Sequence, residues 1–148
     1  DGDGSIQMNL QELQTIVYNN ANIKIFVLNN DGYHSMRQTQ SNLFKGALAG
    51  VNKENGVSFP DMEKIAYAYG IPYLRINHVD LIDETVRQAI ESQGPTICEV
   101  ILDKEQFFAP KLSSKVLPDG KIVSPAIDDL SPFLSREEYL ENKGVKYE

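Results

Sequence analysis

No tryptophan occurs in this sequence, cysteine occurs once and histidine twice. One cysteine cannot close an intrachain disulfide, and one cysteine with two histidines cannot build a structural zinc cluster. Cys98 lies in the apolar run Thr96-Ile97-Cys98-Glu99-Val100-Ile101-Leu102 and reads as a buried, inert thiol. A reducing compartment, the cytoplasm, is the expected setting. No apolar run approaches the roughly 18 residues that a membrane-spanning helix needs, so no membrane partner is expected. Basic residues are also scarce, 14 against 21 acidic ones, giving a net charge of -7. Nucleic-acid binding draws most of its affinity from Lys and Arg on phosphate, so a nucleic-acid partner is not expected.

What is present is an ordinary globular balance, 41% hydrophobic and 24% charged, over 148 residues. Residues 5–19 predict a helix that Ser5 can cap, with Met8, Glu12, Leu13, Ile16 and Val17 setting one face. Residues 23–28 form a short apolar run suited to a strand buried on both faces. A helix follows around Ser35–Leu43, then a Gly- and Asn-rich loop from Gly46 to Phe59. Pro60 opens the next helix, which runs to Gly70. Residues 71–76 read as a strand, Val79–Gln93 as a helix stopped by Gly94-Pro95, and 96–102 as a strand.

Strands alternating with helices predict a three-layer α/β/α fold with a mostly parallel sheet. We expect this α/β domain over 1–103 and a C-terminal extension over 104–148, packing on the domain or a partner. Within the extension, Pro118-Asp119-Gly120 signals a turn and Arg136–Asn142 a helix. Asp1-Gly2-Asp3-Gly4 is a turn with no element before it, so the chain is expected to begin inside a longer protein, after a first strand of the sheet.

Ligands of open parallel sheets bind outside the carboxyl ends of the strands. Asn29-Asn30-Asp31-Gly32 stands at such an end. Gly2-Asp3-Gly4-Ser5 stands at a helix N-terminus, where free N–H groups favour an anion. The oxygen donors suit Mg2+, a hard cation: a carboxylate from Asp3, a side-chain carbonyl from Asn30 and the backbone carbonyl of Gly32. Asn29–Gly32 also reads as a simple turn. Asp1–Ile6 matches the middle of a calcium-binding EF-hand loop, but Leu10 stands where that loop needs its closing carboxylate. His78 reads as a surface or capping residue, Tyr67, Tyr69 and Tyr73 as packing residues, and Arg37 as either a substrate-carboxylate contact or a salt-bridge partner.

Gly2-Asp3-Gly4, then 24 residues (5–28), then Asn29-Asn30, resembles the binding motif of thiamine diphosphate (ThDP)-dependent enzymes. The longer stretches GDGSIQMNLQELQTIV and IKIFVLNNDGY resemble the C-terminal cofactor-binding domain of acetolactate synthase-like enzymes, with the likeness strongest over residues 1–103. The resemblance implies the ThDP-binding fold, with Asp3, Asn30 and Gly32 holding Mg2+. It implies Gly2, Gly4, Ser5, Tyr33 and His34 beside the cofactor, mostly through backbone N–H groups on its diphosphate. It further implies decarboxylation of a 2-oxo acid with optional carboligation. The family's activating glutamate lies on a pyrimidine-binding domain of a second subunit, so a homodimer or homotetramer is implied and the isolated chain is expected to be inactive. His34 is the one candidate in this chain for assisting proton transfer. Thr39 stands in the segment where acetolactate synthases carry a tryptophan that shapes the second-substrate pocket, which argues against acetolactate as the product. The alternative is a non-catalytic binding or regulatory module that keeps the fold.

Overall fold

A computed structural model describes residues 1–144; residues 145–148 of the expected extension lie outside the described residues. The chain forms two compact units, one of residues 1–34 and 49–106, the other of 35–48 and 107–148.

The first unit is built on a three-stranded parallel sheet, β1 (Lys24–Asn29), β2 (Tyr73–Ile76) and β3 (Thr96–Ile101), in the order β1-β3-β2. Both outer strands pair with β3, which puts Val27 and Arg75 opposite Glu99, and Phe26 and Leu74 opposite Cys98. Because successive side chains alternate across a strand, each strand feeds two cores. Ile97 and Val27 join Leu13 of α1 (Glu12–Tyr18) and Met62 and Ala66 of α3 (Met62–Tyr69) on one face. Cys98 and Ile76 meet Ala89 of α4 (Ile82–Glu91) on the other. Helices therefore cover both faces, and the α/β/α layering with a parallel sheet is as the sequence predicts. Val27 and Ile97 have no exposed surface, each worth about 1.5–3 kcal/mol of burial.

Several boundaries differ from expectation. The helix expected over 5–19 is two pieces, a 3-10 helix Ser5–Asn9 and then α1. The tighter winding of the first piece turns Met8 out to solvent, while Leu10 packs against the core. Ser5 caps nothing there: the N-cap position is Gly4, with no side-chain cap bond. The helix expected over 79–93 likewise opens with a 3-10 turn, Val79–Leu81, before α4. Pro60 stands ahead of the helix it was expected to open; Asp61 is the cap, accepting from the Lys64 N–H. Strand β2 starts two residues late, since Ile71 is taken into the first core and Pro72 has no N–H to give a ladder. The loop over 46–59 contains a 3-10 turn, Lys53–Asn55, closed by reciprocal bonds between Asn52 and Asn55.

The second unit contains α2 (His34–Leu43) apart from His34, an antiparallel hairpin of β4 (Lys115–Val116) and β5 (Ile122–Val123), and α5 (Arg136–Asn142). The Gln38 side chain holds the Phe108 backbone at both ends, donating to its carbonyl at 2.9 Å and accepting from its N–H at 3.2 Å. Buried Asp129 accepts from Lys115 of β4 and Arg136 of α5, each at 3.0 Å, tying hairpin to helix. Among the described residues no helix is long and apolar enough to cross a membrane.

Candidate functional site

The first motif lies beside the second because the backbone of Asp1–Asp3 runs parallel to β1. The Leu28 N–H donates to the Asp1 carbonyl at 2.7 Å, and the Asp3 N–H donates to the Leu28 carbonyl at 3.1 Å. Gly2-Asp3-Gly4-Ser5 and Asn29-Asn30-Asp31-Gly32 are thus loops at adjacent strand ends. One side chain joins them. The Asp3 carboxylate, 6% exposed, accepts the Gly4 N–H at 2.9 Å and the Gly32 N–H at 2.8 Å.

Two glycines make this approach sterically feasible. A Cβ on Gly4 would lie 2.5 Å from the Tyr33 ring, and one on Gly32 would lie 2.2 Å from the Val51 carbonyl oxygen. Gly32 also has φ +131°, a region that side chains disfavour. Asp31 before it is left-handed at φ +59°, steadied by its N–H donating to Asn29 Oδ1 at 3.1 Å. The Tyr33 N–H donates to the Val51 carbonyl at 3.0 Å, and its ring stands edge-on to Phe59 with centroids 5.3 Å apart.

Of the residues singled out in the sequence, Asp3, Gly4, Gly32 and His34 are buried, Gly2, Asn30 and Tyr33 are half-buried, and Ser5 is exposed. His34 is the first residue of α2. A cavity beside the clasp is lined by Asp3, Asn29, Asp31, Lys53, Phe59 and Glu99, among others. Glu99 is the residue that sequence reasoning passed over. Its carboxylate, 6% exposed, accepts from Asn29 Nδ2 at 2.8 Å and from the Tyr73 hydroxyl at 2.5 Å, with Arg75 Nε 3.8 Å away. Burial, then the Glu99 hydrogen bond, push the Tyr73 hydroxyl well above its ordinary 10.0. The available signal was a lone carboxylate inside an apolar strand.

Other candidates fall outside this constellation. His78 is exposed and caps the 3-10 turn, its Nδ1 accepting from the Asp80 N–H at 3.3 Å. Tyr69 and Tyr73 pack against the first core, whereas Tyr67 is exposed. Arg37 is buried in α2 and Thr39 is exposed there, its hydroxyl donating to the Ser35 carbonyl at 2.9 Å. Burial pushes the Cys98 thiol up, which keeps it protonated and unreactive.

The described residues contain no group of three or more His, Cys, Asp or Glu side chains able to hold a metal. One buried carboxylate between two glycine-walled turns does fit Mg2+, which takes one or two protein carboxylates and fills its octahedron with phosphate oxygens and water. An ionised carboxylate has about four acceptor positions, so N–H donors and a cation can share Asp3.

Residues 1–100 match the model of the family described as "Thiamine pyrophosphate enzyme, C-terminal TPP binding domain". The chain is 33% identical over 118 residues to acetolactate synthase 2, chloroplastic, of Nicotiana tabacum, covering 77% of this chain and 18% of that protein. It is 36% identical over 110 residues to the mitochondrial acetolactate synthase catalytic subunit of Aspergillus candidus, covering 74% of this chain and 15% of that protein. With acetolactate synthase of Arthrospira platensis the identity is 29% over 112 residues, 76% of this chain and 19% of that protein. The chain belongs to the thiamine pyrophosphate enzymes, as a C-terminal cofactor-binding domain of the acetolactate synthase-like kind. It spans less than a fifth of the length of these relatives.

Proposed function

We propose that this chain anchors the Mg2+–diphosphate end of ThDP for an enzyme that decarboxylates a 2-oxo acid and can join the product to a second carbonyl compound. The observation that carries this reading is the Asp3 clasp, which closes both halves of the motif around one buried carboxylate. Asp3 and Asn30 hold the metal through side-chain oxygens and Gly32 through its carbonyl. Gly2, Gly4, Ser5, Tyr33 and His34 line the diphosphate.

Electrostatics support the cation. The cavity beside the clasp is lined by three carboxylates, Asp3, Asp31 and Glu99, and one ammonium, Lys53. A diphosphate is repelled by that set unless a divalent cation enters with it. Bound ThDP supplies the electron sink for loss of CO2, and the chain supplies position and charge. The aminopyrimidine end is left to a pyrimidine-binding domain of a second subunit, so the working protein is a homodimer or homotetramer and this chain by itself is inactive. His34 assists proton movement beside the cofactor. Thr39 in place of the family's tryptophan supports an acceptor other than that of acetolactate synthesis. The single buried thiol supports a reducing compartment, the cytoplasm.

A ligand that binds the folded state alone raises its stability, by about 2.7 kcal/mol at 100 times Kd. Mg2+ and ThDP together, at millimolar levels, raise the melting temperature of the full chain, and Asp3→Ala abolishes the rise. No rise even with the pyrimidine-binding domain present rules out the cofactor reading; a full rise in Asp3→Ala moves the metal away from Asp3.

A further inference from the structure

We infer that Glu99 is a positioning residue for the cofactor turn, fixing Asn30 and Gly32 through the Asn29 side chain. The inference deepens the ThDP–Mg2+ reading and rests on it for the identity of the ligand.

Glu99 sits on the central strand with Val27 and Arg75 at its sides. It shares its sheet face with Ile97, at the first core, where a hydrophobic residue would be cheaper to bury. Burying a carboxylate there carries a desolvation cost that is recovered only through close partners. Those partners form a directed chain. The Tyr73 hydroxyl and Arg75 fix the Glu99 carboxylate from β2. Glu99 in turn accepts from Asn29 Nδ2 at the end of β1. With its nitrogen so held, the Asn29 amide presents Oδ1 to the Asp31 N–H at 3.1 Å. That bond steadies Asp31 in its left-handed conformation, and the next N–H, of Gly32, reaches Asp3. A non-glycine residue at positive φ is strained and persists where its surroundings over-determine it. Glu99 is the buried, sheet-anchored start of the side-chain path that feeds that determination. It aims the turn without touching the metal or the diphosphate.

The test compares Glu99→Leu with wild type in the full chain, first by amide hydrogen exchange without ligand. Release of the turn speeds exchange at the Asp31 and Gly32 N–H groups by roughly tenfold, while the Leu28 and Ile97 amides, paired to Asp1 and Pro72, keep their rates. The Kd for ThDP in Mg2+ rises by roughly tenfold, as for loss of a residue that orients metal ligands. Glu99→Gln, which keeps an acceptor for Asn29, restores most of both. Uniform acceleration at turn and strand amides, or none, overturns the inference, because it makes Glu99 a packing residue. Asn29→Ala, at a half-buried position, reports the same release if Glu99→Leu does not fold, and unchanged turn exchange in it overturns the inference equally. The exchange measurement needs no cofactor, so a released turn in a protein that binds no ThDP removes the ligand assignment and leaves the positioning role intact.

Discussion

Gly32 shows how narrowly single residues define this site. Its φ of +131° disfavours a side chain, and a Cβ there would lie 2.2 Å from the Val51 carbonyl oxygen. Gly32→Ala is expected to destabilise the chain by about 1–3 kcal/mol in urea unfolding, from backbone strain with displacement of the Val51 turn. The clasp of Asp3 with Gly4 and Gly32 was legible as two motifs at a fixed separation, because Gly-Asp-Gly and Asn-Asn-Asp-Gly both mark tight turns at strand ends. Glu99 was not legible. A single carboxylate in an apolar strand has no periodicity, and its partners Asn29 and Tyr73 are 70 and 26 positions away. Val51 was equally invisible, since it serves the site through its backbone carbonyl and any side chain carries that group.

Elements were legible where a long period or a strong stop signal governed them, and illegible where a tertiary contact or a tight turn took over. The three strands and α5 lie within a residue or two of expectation, since a buried parallel strand is a continuous apolar run and α5 begins at a Ser135 cap that accepts the Glu138 N–H. Both helices that open with 3-10 turns were read as single α-helices, because a period of 3.0 and one of 3.6 separate little over one turn. The hairpin of β4 and β5 was seen only as its turn, Pro118-Asp119-Gly120, since two-residue strands are too short to alternate. Helix α3 offers a clean measurement. Asp61→Ala removes the acceptor for the Lys64 N–H and should lower stability by about 1 kcal/mol, read as a lower urea midpoint with an unchanged slope.

At the scale of the whole molecule, this acidic chain gives two of its carboxylates close cationic partners. The Lys115 hydrogen bond first, and Arg136 with it, hold Asp129 below its ordinary 3.8; Lys143 and the Tyr139 hydroxyl do the same for Asp128. A carboxylate whose pKa is lower folded than unfolded contributes stability that is present above 3.8 and lost as pH falls through the folded value. Lys143 is shifted upward by Asp128, so its contribution is present below 10.5 and lost as pH rises through the raised value. The melting temperature is therefore expected to hold between these limits and to fall as pH drops below about 4. Asp129→Asn should lower the plateau and flatten the acid limb; an acid limb as steep as in wild type assigns it to other carboxylates.

The clasp between Asp3 and Gly32 also closes a ring of chain, since its two ends are 29 positions apart in sequence. The 3-10 turn Ser5–Asn9, α1 and β1 all lie between them. Bringing the two halves together costs loop-closure entropy, which the N–H bonds to Asp3 and the packing of α1 and β1 offset. A ligand that needs both halves at once is therefore expected to bind only after the ring has closed, and to add its own stabilisation to that closure.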